Sequence, residues 1–274
     1  IFDREMDRIF CAESWAYVGL SVELPQASSF ITTAIGDRSV VICRNHEGEL
    51  RGFVNRCAHR GVKFCNRPYG TTKRFTCPYH QWTYDLNGDL KGVPFVAGVN
   101  GHGGMPDDFD LTKNGLQQLK VIEHNGVLFA SFDSNPPEFL DYLGEANQYY
   151  FERVFDGRKL RLLGHSSQLI QGNWKLMFEN IKDPYHASLL HVFLVTFGLF
   201  RADQQAQVKM DHTGRHGLLI SRKGEQRASE ATKDIQNLRE DFTLRDSRLL
   251  DPVKEFKDSA TVVMQTLWPN LIIQ

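Results

Sequence analysis

Four residues with metal-binding side chains come in two short alternating pairs, Cys57-Ala-His59 and, after seventeen intervening residues, Cys77-Pro-Tyr-His80. Each pair offers one thiolate and one imidazole just beyond a strand-like run, where a loop can present both. Tetrahedral zinc accepts a Cys2His2 set, but zinc fingers usually pair Cys with Cys and His with His along the sequence. Alternating pairs suit two facing loops that give one iron of a [2Fe–2S] cluster two thiolates and the other iron two imidazoles. Gly61 permits a tight turn after the first pair, and Trp82 and Tyr84 after the second can keep water from the sulfurs. The cluster is the better fit and structural zinc the rival. Cys65 lies between the pairs without a matching partner, while Cys11 and Cys43 read as small core residues.

A second group of candidate ligands lies in Asn173–His191, NWKLMFENIKDPYHASLLH. His186 and His191 would sit about 140° apart on a regular helix, so one metal can take both only where the helix is distorted or ends between them. Two imidazoles and a carboxylate with open positions form the facial triad of non-haem Fe(II). The plainer alternative is a pair of hydrogen-bonded core histidines, with Asp183 capping a helix that starts at Pro184. Glu179, Asp203 and Asp211 are nearby carboxylates, but no spacing singles one out as a ligand. Phe178, Val192, Phe193, Phe197 and Phe200 flank the pair and could wall a flat apolar pocket or simply be core. Arg201, beyond the pair, carries the fork-shaped guanidinium that can grip a carboxylate.

CAHRG (Cys57–Gly61), CPYHQWTY (Cys77–Tyr84) and FENIKDPYHASLLH (Phe178–His191) resemble the motifs of the Rieske non-haem iron oxygenases, in their large (α) subunits. The resemblance implies that Cys57 and Cys77 ligate one iron of a [2Fe–2S] cluster and His59 and His80 the other. It implies that His186 and His191 ligate a mononuclear Fe(II), with the third ligand, an Asp, beyond Gln274. Asp183 would link that iron to the cluster of an adjacent subunit in a homotrimer, with or without small β subunits. Asn180 would belong to the catalytic group, although only two residues separate it from Asp183 where some members have three. The implied activity is mono- or dioxygenation of an aromatic ring with O2, using electrons from NADH passed through a reductase and, in some members, a ferredoxin. The strings GVPF (Gly92–Phe95), GGMP (Gly103–Pro106) and TFGLFRAD (Thr196–Asp203) look most like subunits acting on substituted benzoates, of salicylate, anthranilate or terephthalate type. The rival function is a Rieske electron carrier with no oxygenation chemistry of its own.

These motifs sit in a chain of ordinary composition. Of its 274 residues 41% are hydrophobic and 24% charged, and 32 Lys and Arg against 33 Asp and Glu leave a net charge of −1, which argues against a nucleic-acid partner. No apolar run approaches the roughly 18 to 20 residues of a membrane span, so a soluble protein is expected. Five cysteines, an odd number, argue for a reducing, cytoplasmic setting. The chain begins without Met and ends in a strand-like run, so it reads as an excerpt of a longer protein.

The elements that must position the ligands read as α+β: an antiparallel β Rieske domain followed by a helix-grip, START-like catalytic domain, the latter fold implied by the resemblance. Residues 1–27 would form an amphipathic lead-in helix packing on the catalytic domain, 28–140 the Rieske domain and 141–274 the catalytic domain. The texture predicts strands at Phe30–Ile35, Val40–Arg44, Leu50–Asn55, Phe75–Cys77, Trp82–Tyr84, Gly126–Phe132 and Leu160–Ile170. Helical spacing covers Glu138–Val154, Trp174–Asn180 and Pro184–Phe193, and Lys223–Asp246 reads as a solvated helix and loop.

Overall fold

The computed structural model describes residues 1–222, 230, 239, 241–251 and 256–274. The expected helix and loop at Lys223–Asp246 falls largely outside them. The chain divides into two compact units, one of residues 1–142 and 155–164, the other of 143–154 and 165–274.

The first unit is built on antiparallel strands: β1 (Ala16–Leu20), β2 (Ser29–Ile35), β3 (Arg38–Arg44), β4 (Leu50–Val54), β5 (Tyr69–Thr71), β6 (Phe75–Thr76), β7 (Thr83–Tyr84), β8 (Leu90–Gly92), β9 (Gln118–His124) and β10 (Val127–Ser131). Seven of these form one sheet in the order β1-β10-β9-β4-β3-β2-β5, and β6-β7-β8 form a second, smaller one. Asn125 and Gly126 close the β9–β10 hairpin with φ of +49° and +86°, the two-residue turn that Asn-Gly favours. Phe30, Phe53, Phe64, Phe75, Trp82 and Tyr84 are buried in one core, and Cys57 and Cys77 belong to it.

Helix α1 (Phe2–Glu5) runs on as a wider turn over Met6–Phe10 and stops well before Trp15. The lead-in segment was expected against the catalytic domain. Its buried Met6 and Phe10 lie beside Gly36 in the β2–β3 turn, and Asp7 pairs with Arg38 at 3.0 Å. The expected helix over 138–154 is two, α2 (Phe139–Leu143) and α3 (Glu145–Val154), because Gly144 takes a φ of +73° between them.

The second unit carries α4 (Lys175–Lys182), α5 (Pro184–Leu190) and α6 (Val192–Thr196), and a four-stranded antiparallel sheet in chain order: β11 (Ala206–Met210), β12 (Gly217–Arg222), β13 (Ala260–Leu267) and β14 (Leu271–Ile273). Gln265 of β13 donates to the Asn147 carbonyl of α3 at 2.7 Å, and Arg153 of α3 pairs with Asp258 at 2.6 Å. Alternation along the sheet sends Leu219 and Met264 to the opposite face from Gln265. Leu160–Ile170, expected as a strand, is irregular. A strand exists only with a partner, none of the described strands pairs with this run, and Leu163, Leu169 and Ile170 are exposed. Among the described residues no helix is long and apolar enough to cross a membrane.

Candidate metal centres

The two pairs of the first constellation sit on loops of the same design. Cys57 N–H donates to the Val62 carbonyl at 2.9 Å and Gly61 N–H donates to the Cys57 carbonyl at 2.8 Å. The second loop repeats both bonds, from Cys77 N–H to Trp82 at 2.8 Å and from Gln81 N–H to Cys77 at 3.0 Å. The fifth residue of each loop needs a left-handed backbone, with φ of +71° at Gly61 and +58° at Gln81. Glycine takes this conformation without strain. Gln81 is the residue whose special geometry the sequence did not announce.

These loops bury both thiols and leave both imidazoles half-buried at the surface. The rings of His59 and His80 lie 4.7 Å apart, and His59 stacks on Trp82 at 4.8 Å with only 8° between the planes. Tyr84, wholly buried, holds its hydroxyl 3.1 Å from the Cys57 sulfur and accepts a hydrogen bond from Ala58 N–H at 3.1 Å. Burial pushes the Cys57 thiol above its ordinary pKa, so a thiolate there calls for compensating positive charge. Burial, with His80 and Arg60 nearby, holds His59 below its usual value and favours the neutral ring that ligates metal. Two thiols on the buried side and two imidazoles toward solvent fit the division of ligands that a Rieske cluster requires. Cys65 is buried and receives the Thr32 hydroxyl at 3.6 Å, apart from the pairs, and none of the five cysteines is in a disulfide.

In the second unit Asp183 ends α4 and starts α5. Its Oδ1 accepts from Tyr185 N–H at 2.8 Å and His186 N–H at 3.4 Å, with Pro184 in the first helical position. Its Oδ2 lies 3.3 Å from His186 Nδ1, within reach but out of line for a hydrogen bond, and that buried nitrogen has no other partner. The cap and the contact with the imidazole therefore use different oxygens of one carboxylate. Hydrogen bonds from Tyr185 and His186, with the His186 ring beside it, hold that carboxyl below its ordinary value of 3.8.

His186 and His191 meet the condition that their spacing set. Helix α5 ends at Leu190, His191 leaves helical geometry with φ −90° and ψ 85°, and α6 begins at Val192. The break brings the two Nε2 atoms to 3.3 Å. One ion bonded to both nitrogens at about 2.1 Å would subtend an angle of about 104°, between octahedral and tetrahedral values, so the pair fits a single first-row metal. The two histidines line a cavity of about 210 Å³ together with Asn180, Asp183 and an apolar wall. Among the described residues no three His, Cys, Asp or Glu side chains are gathered as a complete cage for one ion.

Of the aromatic wall expected from the sequence, Phe200 alone lines that cavity. Phe178 packs between Trp174 and Trp268, at 5.9 and 5.3 Å, and Phe193 pairs with Phe197 at 5.0 Å with one face exposed. Val192 opens α6 and does not line the cavity. The wall consists instead of Met177 and Ile181 from α4, Ala187 and Leu194 from α5 and α6, and Leu219 and Met264 from the sheet. Arg201 is buried, outside the cavity lining, and tied to Asp203 at 3.0 Å, which leaves it poorly placed as a substrate anchor. Asp211 caps the β11–β12 turn through Thr213 and His216, and Glu179 is exposed beside Lys182, so neither serves the histidine pair.

Residues 14–103 match the Rieske [2Fe-2S] domain, and residues 140–274 match the ring hydroxylating alpha subunit catalytic domain. The chain is 47% identical over 280 residues to the large oxygenase component of salicylate 5-hydroxylase from Ralstonia sp, covering 100% of this chain and 66% of that protein. It is 41% identical over 277 residues to the anthranilate 1,2-dioxygenase large subunit of Burkholderia cepacia, covering 100% and 65%. Naphthalene 1,2-dioxygenase from Rhodococcus sp., solved with indole bound, superposes with a TM-score of 0.74 at 27% identity over 98% of this chain and 61% of that one. The chain thus spans about two thirds of the length of the curated relatives it matches. A bare electron carrier has no counterpart to the second matched domain; this chain has one, and it belongs to the Rieske ring-hydroxylating oxygenases, among their large (α) subunits.

Proposed function

We propose that the protein hydroxylates an aromatic ring bearing a carboxylate, of salicylate, anthranilate or terephthalate type, with O2 and with electrons drawn from NADH through a reductase, directly or by way of a ferredoxin. In this reading residues 28–140 are the Rieske domain and 141–274 the mononuclear-iron domain. Cys57 and Cys77 hold one iron of the cluster, His59 and His80 the other, and His186 and His191 hold Fe(II) with a carboxylate from outside residues 1–274. When bound, the cluster supplies single electrons and the mononuclear iron supplies the oxygen chemistry.

The work left to the chain is positioning and exclusion. Tyr84 and Trp82 shield the sulfurs. Asp183 sets a carboxylate oxygen beside His186 Nδ1, which favours the tautomer protonated there and leaves Nε2 free to ligate. The same carboxylate reaches His59 or His80 of a neighbouring copy in a homotrimer, with or without β subunits, in the cytoplasm. Asn180 gives the cavity one neutral polar group, and the apolar wall around it suits a flat ring.

The observation that carries this reading is the His186–His191 Nε2 separation across a helix break, inside a cavity with an apolar wall. The test uses the full-length oxygenase with reductase, NADH and O2, offered salicylate, anthranilate, terephthalate and, as a control, naphthalene. NADH consumption coupled to a hydroxylated product from a carboxylated substrate is expected. Coupled turnover of naphthalene alone would reject the substrate class, and no coupled turnover of any of them would reject the activity.

A further inference from the structure

The cavity that holds His186 and His191 has two thioethers in its lining, Met177 and Met264, among side chains that are otherwise hydrocarbon, amide, imidazole or carboxylate. Sulfur is the most easily oxidised atom of that set, because a thioether takes up oxygen on a lone pair without any C–H or ring bond breaking. Met264 is held close to the helix that carries the histidines. Its partner across the sheet is Leu219 of β12, which clusters with Phe200 and with Ala187, the residue after His186, and Met264 packs against that cluster. Met264 is only partly open to solvent, whereas Met177 and Met210 are 46% and 42% exposed. Met210 lies on β11 of the same sheet and outside the cavity lining. Access from solvent and access from the cavity therefore rank the methionines differently.

We infer that Met264 is a self-oxidation site: when the oxygenase turns over with no aromatic ring in the cavity, this thioether takes the oxygen atom instead. The inference rests on the proposed reading of the cavity as the oxygenation site. The step balances with what that reading already supplies. One atom of O2 forms the S=O bond on Met264 and the other leaves as water, while NADH and one proton provide the two hydrogens of that water. The sulfur and NADH lose two electrons each, and O2 accepts all four. The product is a polar, chiral sulfoxide where the side chain was apolar, so it spoils the surface that Ile181, Leu194 and Leu219 offer to a flat ring. Turnover without substrate in this way retires the site until a sulfoxide reductase restores the thioether.

The test incubates the full-length, metal-loaded oxygenase with reductase, NADH, O2 and catalase, without an aromatic substrate, and follows each methionine by peptide mass spectrometry. A parallel sample in dilute hydrogen peroxide, without NADH or catalase, gives the order set by solvent access alone. During turnover Met264 should gain one oxygen atom, carrying isotope label from O2, about tenfold or more faster than Met210, and peroxide should favour Met210. An aromatic carboxylate that couples turnover should suppress the oxidation of Met264, and His186→Ala should abolish it. Met264→Leu keeps an apolar side chain of similar size. After the same NADH consumption it should retain a share of its own starting rate about twofold or more larger than the wild type retains, and methionine sulfoxide reductase should restore the aged wild type. The same order of methionines under turnover and in peroxide, or label on Phe200 in place of Met264, would overturn the inference and leave the proposed reaction standing. No NADH-dependent O2 consumption by the loaded enzyme, with or without an aromatic carboxylate, would instead reject that reading and the inference with it.

Discussion

His186 and His191 hold their Nε2 atoms 3.3 Å apart because the helix that carries the first gives way at the second. Had α5 continued regularly, residues five apart would have pointed about 140° from each other. Replacing either histidine with Ala should therefore remove one iron per chain, from about three to about two, and abolish turnover. The Rieske EPR signal should persist, since the cluster residues lie in the other unit. Metal analysis with EPR checks this, and full activity in either variant would remove the pair from the iron site.

The sequence made these pairs legible because ligand chemistry is local: a Cys-x-His and a Cys-x-x-His need only their own loops. The helix break was legible as a condition, since two imidazoles at that spacing can share an ion in no other way. The cavity wall was not. Leu219 and Met264 reach it from strands far along the chain, while Phe178, equally aromatic and closer in sequence, goes to the Trp174–Trp268 stack. Local pattern cannot tell a core aromatic from a pocket aromatic, because sheet pairing decides which face meets the helix. Leu160–Ile170 failed as a strand for the same reason, as alternation supplies no partner.

Asp183 performs a cap with one oxygen and meets His186 with the other, so Asp183→Asn separates the two tasks. Asn caps about as well as Asp, and its carbonyl can still accept from Tyr185 N–H, so thermal stability should change by less than about 0.5 kcal/mol. The group facing His186 Nδ1 becomes neutral or a donor, which disturbs the orientation and basicity of that ring. Iron, cluster and assembly should remain while single-turnover reoxidation of the reduced cluster, with substrate and O2 present, slows by about tenfold or more. Because the carboxyl is held below its ordinary value, it is ionised throughout the neutral range and its contribution fades only as pH falls through that lowered value. The defect should accordingly be independent of pH between about 6 and 8. Reoxidation at the wild-type rate would reduce Asp183 to a helix cap.

Arg201 tests the distinction between a pocket residue and a buried strut. Its guanidinium is paired with Asp203, and its backbone N–H donates to Gln204 at 3.0 Å. Arg201→Ala leaves the Asp203 carboxylate without that partner, a loss of about 3–5 kcal/mol in stability. Calorimetric affinity of the folded remainder for an aromatic carboxylate should stay within about twofold. A large loss of affinity at unchanged melting temperature would return Arg201 to the substrate site.

In the proposed cluster site Tyr84 is placed to tune the electronics through one proton. Its hydroxyl oxygen accepts from Ala58 N–H and lies 3.1 Å from the Cys57 sulfur; a metal-bound thiolate has no proton to give, so in the proposed cluster site the hydroxyl is the donor. Burial pushes the phenol well above its ordinary pKa, which keeps that proton in place across the working range. A hydrogen bond to a ligating sulfur draws off negative charge and favours the reduced cluster, whose charge is more negative by one. Tyr84→Phe keeps the ring that fills the core and deletes the bond, leaving Ala58 N–H without this acceptor at a cost of about 1–3 kcal/mol. The reduction potential should fall by tens of millivolts, on a scale where about 59 mV is a tenfold change in a one-electron equilibrium. The Rieske line shape should stay recognisable, because no ligand has changed. A redox titration followed by EPR measures the shift, and an unchanged potential would mean that the hydroxyl does not donate to sulfur.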